Sequence, residues 1–407
     1  MAQARISCDA FAWSERLITL DALQWRTLIW AGLAVVLTAF DGSVLVLALP
    51  AIAADFNAEI PGLSNLGSVL ALGPLGALPL ATLADRFGRR RMIAIGVAGF
   101  SLANFASAFA PSLTALALIR MVAVCFEVLV GGVATALIVE EAPAGRRGQA
   151  VGVLAVLAGA GTLATVLSYP LLTPHWRWLF LAGGIGVLLA PVIWFRLPEG
   201  RTWGRVRPSG SALRLLASAP WRRRIVVLSA TTLLVAVLLQ PAGLLFTVFA
   251  SDVLHMTPVA ISGLIIISGG AGAAAYLAGG YLSDRFGRRW PAIALTATTA
   301  IVTSLSFGTG GAGFVIGNVL WSAIASAATP VFGAWSAELF PTRSRATAQA
   351  TGGVAAAIGS VAGLQAVGFL SESLGLGRAI EVVGLAALAG AFLLFLLPET
   401  KQTPLPD

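Results

Sequence analysis

Polar residues are sparse along this chain, and they fall at intervals that leave long apolar runs between them. Twelve runs approach the roughly 20 residues that a bilayer-spanning helix needs: 28–50, 63–83, 92–110, 113–139, 148–172, 177–197, 225–250, 259–282, 291–308, 313–337, 346–370 and 378–397. Gly and Pro recur inside them, as membrane helices tolerate when small residues let backbones pack closely. The interruptions repeat as well. Asp85-Arg86-Phe87-Gly88-Arg89-Arg90 returns as Asp284-Arg285-Phe286-Gly287-Arg288-Arg289, 199 residues later. Glu140-Glu141-Ala142-Pro143 with Arg147 matches Glu338-Leu339-Phe340-Pro341 with Arg345, and Leu197-Pro198-Glu199 matches Leu397-Pro398-Glu399. Three anchors at nearly one offset predict an all-α membrane protein of twelve spans, built from a six-helix unit duplicated in parallel orientation.

The expected organisation is an amphipathic segment over 1–26, a first six-helix bundle over 27–198, a basic linker over 199–224, a second bundle over 225–397 and a tail over 398–407. Within the linker, Ser211 to Ser218 reads as a short surface helix. Charge sets the expected orientation. With both termini in the cytoplasm, only Arg177 and Arg378 of the 26 Lys and Arg residues fall on the far side, and Arg120 lies within a span. That asymmetry follows the positive-inside rule and places both hexapeptides in the cytoplasm of a cell-membrane (inner-membrane) protein.

Composition agrees: 57% of residues are hydrophobic and 11% charged, against roughly 25% charged in soluble domains. The net charge of +8 is explained by the loops between spans rather than by nucleic-acid binding. Two cysteines, Cys8 in the N-terminal segment and Cys125 in an apolar run, predict neither a disulfide nor a zinc site. Lys401 is the only lysine, so no phosphate-binding Gly-Lys loop exists to support ATP-driven transport, and no cofactor is expected.

Charges inside spans each cost roughly 2.5–3.5 kcal/mol at the bilayer centre, so they mark the candidate chemistry. Asp41 lies in the first span, and Arg120 and Glu127 in the fourth, seven residues apart and therefore on one helix face. Their counterparts in the second half are Gln240, Asn318 and Ala325, all neutral. The first half is thus expected to handle a proton. Asp41 would be its main acceptor, Arg120 the partner that holds or releases it, and Glu127 a second proton site or a solute contact. A static ion pair between two helices, or Arg120 binding a solute carboxylate directly, are the alternatives. The second half is expected to shape a solute site from Gln240, Asn318, Trp321, Tyr276 and Gln365.

Twelve spans in two parallel halves, with D-R-x-G-R-R after spans 2 and 8, resemble the major facilitator superfamily over essentially the whole chain after residue 26. Within it, Ala337 to Ala346 is similar to the loop after span 10 of sugar porters and metabolite:proton symporters, and Pro398-Glu399-Thr400 to their C-terminal signature. Asp41-Gly42 resembles the D-G-x-D of aromatic-acid symporters, with Val44 in place of the second Asp. Sugar porters usually carry a Gln-Gln pair where this chain has Leu239-Gln240-Pro241; drug antiporters often carry G-P-x-x-G-G where it has Gly159 to Ala164; and Val124, Phe126 and Val128 replace the usual glycines after the span 4 Arg.

The resemblance implies a monomer that moves a small organic solute by alternating access, with spans 1 and 4 lining a central cavity. An organic or aromatic acid is favoured over a sugar, by proton-coupled symport. Proton-coupled efflux of an amphipathic compound is the runner-up, and a transporter-like sensor comes after it. It also implies that Asp85, Arg86, Gly88, Arg89, Arg90, Glu140, Arg147 and Glu199 form half of a cytoplasmic gate. Asp284, Arg285, Gly287, Arg288, Arg289, Glu338, Arg343, Arg345 and Glu399 form the other half, with contacts made when the inside closes and broken when it opens.

Overall fold

The computed structural model describes residues 22–142, 147–173, 175–199, 212–219, 221–341 and 344–401, except for the side chains at a few positions, Asp85, Arg86 and Arg147 among them. Residues 1–21 of the expected amphipathic segment, residues 200–211 and 220 of the linker, Arg343 and the end of the tail lie outside the described residues.

Each of the twelve apolar runs falls on helix. In chain order the elements are α1 (Ala22–Asp55), α2 (Ile60–Leu70), α3 (Gly73–Phe87), α4 (Arg89–Ser107), α5 (Leu113–Glu141), α6 (Arg147–Leu172), α7 (Trp176–Gly184) and α8 (Gly186–Arg196). There follow α9 (Ala212–Ala217), α10 (Trp221–Leu244), α11 (Phe246–Val248), α12 (Pro258–Phe286), α13 (Arg289–Thr309), α14 (Gly311–Leu339), α15 (Arg345–Leu374) and α16 (Leu376–Leu393). Among the described residues, 11 helical stretches are long and apolar enough to cross a membrane. Apart from the short α9 and α11, the helix outside that set is α4, which opens on three arginines.

Local chemistry explains the breaks. The second run divides at Ala71–Leu72, ahead of Gly73-Pro74 at the start of α3. The seventh run bends past Pro241 and continues through α11 into a π-helical turn at Phe249–Val253. Side chains cap two of the described starts. Ser112 accepts from the Ala115 N–H at 3.2 Å, and Thr257 from the Ala260 N–H at 3.3 Å. Small residues let helices touch at the backbone: a Cβ on Gly363 of α15 would overlap the Val237 carbonyl of α10.

The helices up to Arg196 pack chiefly on one another, α1 on α6 and α5, and α4 on α5 and α8. Those from Trp221 onward do the same, α12 on α14, α10 on α15 and α13 on α16. The two sets meet through α2 on α15, α6 on α12 and α1 on α11. One apolar core is shared there, running from Val44, Leu63 and Leu66 to Leu244, Phe246 and Leu364. At the end that carries the hexapeptides the cores are separate. Met92, Leu137 and Leu197 belong to the first set, and Ile225, Trp335 and Leu339 to the second. Hydrogen bonds between the sets also lie away from the hexapeptides: Thr247 Oγ1 donates to the Val46 carbonyl, Ser262 Oγ to the Val166 carbonyl at 3.0 Å, and the Gln365 amide to Asn65 Oδ1 and Ser68 Oγ at 2.9 Å each. Among the described residues, the two sets meet at one end and are parted at the other.

Candidate functional site

The packing of α1, α4 and α5 brings the three intramembrane charges together. Arg120 Nη1 donates to Asp41 Oδ1 at 2.8 Å, and Nη2 donates to Glu127 Oε1 at 3.0 Å. Nη1 also donates to Asn104 Oδ1 of α4 at 2.6 Å, a partner the sequence reading missed. The guanidinium lies 5.5 Å from the centre of the Phe180 ring. Asp41 and Asn104 are 0% exposed, Arg120 1% and Glu127 8%. Two carboxylates against one guanidinium leave one negative charge in excess, in a place where unpaired charge is expensive. One carboxylate oxygen, Asp41 Oδ2, is buried without a hydrogen-bond partner, as are Arg120 Nε and Asn104 Nδ2. The arrangement can take up one proton and become neutral, or exchange partners around Arg120.

The cluster borders a cavity of about 440 Å³ between the two helix sets, walled by α1, α6, α10, α11, α12 and α14. Gly42 lines it, and Glu127 Oε2 lies 3.5 Å from the place a Cβ on Gly42 would occupy. Two of the expected solute contacts, Asn318 and Trp321, line this cavity. Asn318 Oδ1 accepts from Ser268 Oγ at 2.8 Å, and Ser322 Oγ donates to the Ser268 carbonyl at 2.9 Å. The other three candidates lie elsewhere. Gln240 lines a second cavity of about 580 Å³ among α10, α14 and α15, toward the hexapeptide end. Gln365 sits in the contact between the helix sets described above. Tyr276 is half-exposed on α12, outside the lining of either cavity.

The two hexapeptides adopt matching geometry. Gly88 and Gly287 hold φ of 96° and 91°, a region that favours glycine, and each turns the chain into the next helix. The exposed N–H groups at those helix starts receive a carboxylate from the repeated Leu-Pro-Glu. Glu199 Oε1 accepts from the N–H of Arg89 at 2.6 Å and of Arg90 at 3.2 Å. Glu399 accepts from the N–H of Arg288 at 2.9 Å and of Arg289 at 3.0 Å.

The side chains repeat too: Arg89 pairs with Glu140 at 2.5 Å, and Arg288 with Glu338 at 3.1 Å. Arg288 also pairs with Asp284 at 2.8 Å, Arg285 donates to the Tyr281 hydroxyl at 2.8 Å, and Arg345 donates to the Phe340 carbonyl at 3.1 Å. Arg289 donates to the Phe395 carbonyl at 2.6 Å. Burial works against the Glu399 carboxylate, but the N–H groups of Arg288, Lys401, Arg289 and Thr400 outweigh it and hold its pKa below the usual carboxylate range. Burial would likewise lower the Arg288 guanidinium, and Glu338 and Asp284 raise it instead. Each of these contacts stays within its own helix set.

Comparison with known proteins fits this picture. The family model described as Major Facilitator Superfamily matches residues 31–279 and 242–407. The chain is 29% identical over 390 residues to a probable 4-methylmuconolactone transporter of Cupriavidus pinatubonensis, covering 90% of this chain and 88% of that protein. It is 34% identical over 185 residues to a puromycin resistance protein of Streptomyces alboniger, covering 43% of this chain and 37% of that protein. In fold it resembles a bacterial homologue of the human lysosomal transporter Spinster, solved in an inward-facing and unoccupied conformation. The TM-score is 0.77 and the identity 19%, over 92% of this chain and 97% of that one.

Proposed function

The chain belongs to the major facilitator superfamily, and from that premise we propose that it is a secondary active transporter of a small organic solute, driven by a proton gradient. The two helix sets act as six-helix bundles that rock about the central cavity, with both hexapeptides at the cytoplasmic face of the cell membrane. The observation that carries this reading is the buried cluster in which Asp41 and Glu127 share the one guanidinium of Arg120 with Asn104, directly behind the Gly42 wall of a solute-sized cavity.

In this reading a proton entering from the cavity reaches Glu127 first, because Glu127 is the most exposed of the four. Arg120 then holds the remaining carboxylate, and Asn104 Oδ1 keeps its Nη1 occupied while the carboxylates change charge. Protonation removes the excess charge, so the bundle can reorient without carrying an uncompensated carboxylate through the bilayer interior. An organic or aromatic acid remains the favoured solute, on the Asp41-Gly42 pair and on the similarity to the 4-methylmuconolactone transporter. Efflux of an amphipathic compound is the second reading. It is favoured by the mostly apolar cavity wall and by the partial similarity to the puromycin resistance protein.

The test is transport by Asp41→Asn in proteoliposomes. Uptake driven by a pH gradient is expected to fall to background while exchange of labelled for unlabelled solute persists. Driven uptake at the wild-type rate would leave Asp41 as half of a static ion pair.

A further inference from the structure

The central cavity has a property that the sequence reading did not anticipate. Of the described residues lining it, none carries a formal charge: the wall is Gly42, Ser43, Thr162, Asn318, Trp321 and a set of aliphatic, serine and glycine positions. Arg120, the cation of the neighbouring cluster, is 1% exposed, and its Nη1 and Nη2 are spent on Asp41, Asn104 and Glu127. Behind the wall at Gly42 stands a carboxylate, Glu127, whose Oε2 lies 3.5 Å from the place a Cβ on Gly42 would occupy. A bare solute carboxylate entering here would lose water, find no guanidinium or ammonium to replace it, and face a like charge.

We infer that the solute occupies this cavity in an uncharged form, either as a neutral molecule or as an acid that retains its own proton. The inference rests on the proposed transport function and refines its substrate class. An apolar body, such as an aromatic ring, suits the wall formed by Val46, Leu47, Val166, Phe246 and Ile265. An acceptor oxygen on the solute has two donors to choose from. One is the amide nitrogen of Asn318, whose oxygen is already engaged by Ser268. The other is the indole N–H of Trp321, which has no partner in the structure. Ser43 and Thr162 bond to each other at 3.3 Å on the opposite wall and leave lone pairs for a solute hydroxyl. The acid's proton and the proton held by the Asp41–Arg120–Glu127 cluster are then two separate protons.

Equilibrium binding to the purified full-length protein tests this without requiring transport. The probes are benzoic acid and benzamide, which share a ring and differ in charge above the acid's own pKa. Benzamide is expected to bind with a pH-independent Kd. The apparent Kd of benzoic acid is expected to weaken by about tenfold per pH unit above that pKa, because only its neutral fraction binds. The same slope is expected in Glu127→Gln, since the titrating group is the ligand. Asn318→Ala and Trp321→Phe are each expected to weaken benzamide several-fold.

Tight binding of benzoate with no response to benzamide would overturn the inference, as would a benzoate slope that disappears in Glu127→Gln; in either case the cavity takes an anion together with a protein-bound proton. Binding of neither probe would overturn it as well. None of these outcomes touches the transport reading, which stands or falls on gradient-driven flux and its loss in Asp41→Asn.

Discussion

Arg120 has three buried polar partners, and they differ in how far the sequence exposed them. Asp41 and Glu127 stand out because a charge in an apolar run is rare and costly. Asn104 does not stand out, since a lone amide in such a run usually serves helix packing. What could have flagged it is the packing of its helix: α4 lies on α5, and only there does Asn104 face Arg120. Replacing it with leucine removes one acceptor from a buried guanidinium and leaves the carboxylates in place. The expected cost is about 1.5–3 kcal/mol, the range for hydrogen bonds to charged groups, read as a lower thermal midpoint in detergent. If Asn104 also steadies Arg120 while the carboxylates change charge, Asn104→Leu shifts the pH profile of driven uptake, whereas an unchanged profile assigns it to stability alone. Gln240 and Gln365 teach the converse lesson. Their sequence signal was the same as that of Asn318, and only the packing separates a cavity wall from an inter-bundle contact.

At the scale of the element, the repeated loops were legible because their charges interrupt apolar runs at a constant offset. The role of Gly88 and Gly287 was legible in part, as a tight turn. Hidden from the sequence was that backbone N–H groups, rather than arginine side chains, receive the Glu199 and Glu399 carboxylates. A side chain on Gly287 would meet two obstacles at once, a φ of 91° and a Glu399 oxygen 2.6 Å from its Cβ. Gly287→Ala is therefore expected to lower stability by about 1–3 kcal/mol. Gly280→Ala serves as the control, since its Cβ meets nothing within 4 Å. Thermal midpoints of the two variants that move together would refute this account.

The Glu399 contact also carries a pH signature. Its folded-state pKa is depressed, so the stabilisation is fully present above the unfolded-state pKa and is lost as pH falls through the folded one. The difference in thermal midpoint between wild type and Glu399→Gln should thus stay constant from neutral pH down to the ordinary carboxylate pKa, about 4.3, and shrink only below it. A difference that already closes near neutrality would mean that the helix start does not hold the carboxylate.

At the scale of the whole molecule, the duplicated unit and the apolar runs could be read from the chain, but the relation between the halves could not. The pattern of hydrophobic positions fixes which face of a helix is buried, whereas two bundles packed on each other have more than one way to bury the same faces. Among the described residues they share a core only at the end opposite the hexapeptides, and every contact of Arg89, Arg288, Glu199 and Glu399 given above stays within its own half. The hexapeptides therefore brace each half in this structure, and the gating role expected of them calls for contacts across the halves that it does not contain among the described residues.

The closed end rests on small residues. A Cβ on Gly368 of α15 would stand 3.0 Å from the Ser64 Cβ of α2, so the approach depends on glycine there. Gly368→Trp should wedge this end apart and favour the alternative conformation, because only the closed end lacks room for the indole. The readout is alkylation of Ser43→Cys, a cavity position, with Cys8 and Cys125 replaced by serine. Reactivity toward a membrane-impermeant maleimide should rise from the side opposite the hexapeptides and fall from theirs. If the bundles were a fixed pair, the wedge would lower stability and leave the sidedness of labelling as it was. Alternating access requires the two sides to change in opposite directions.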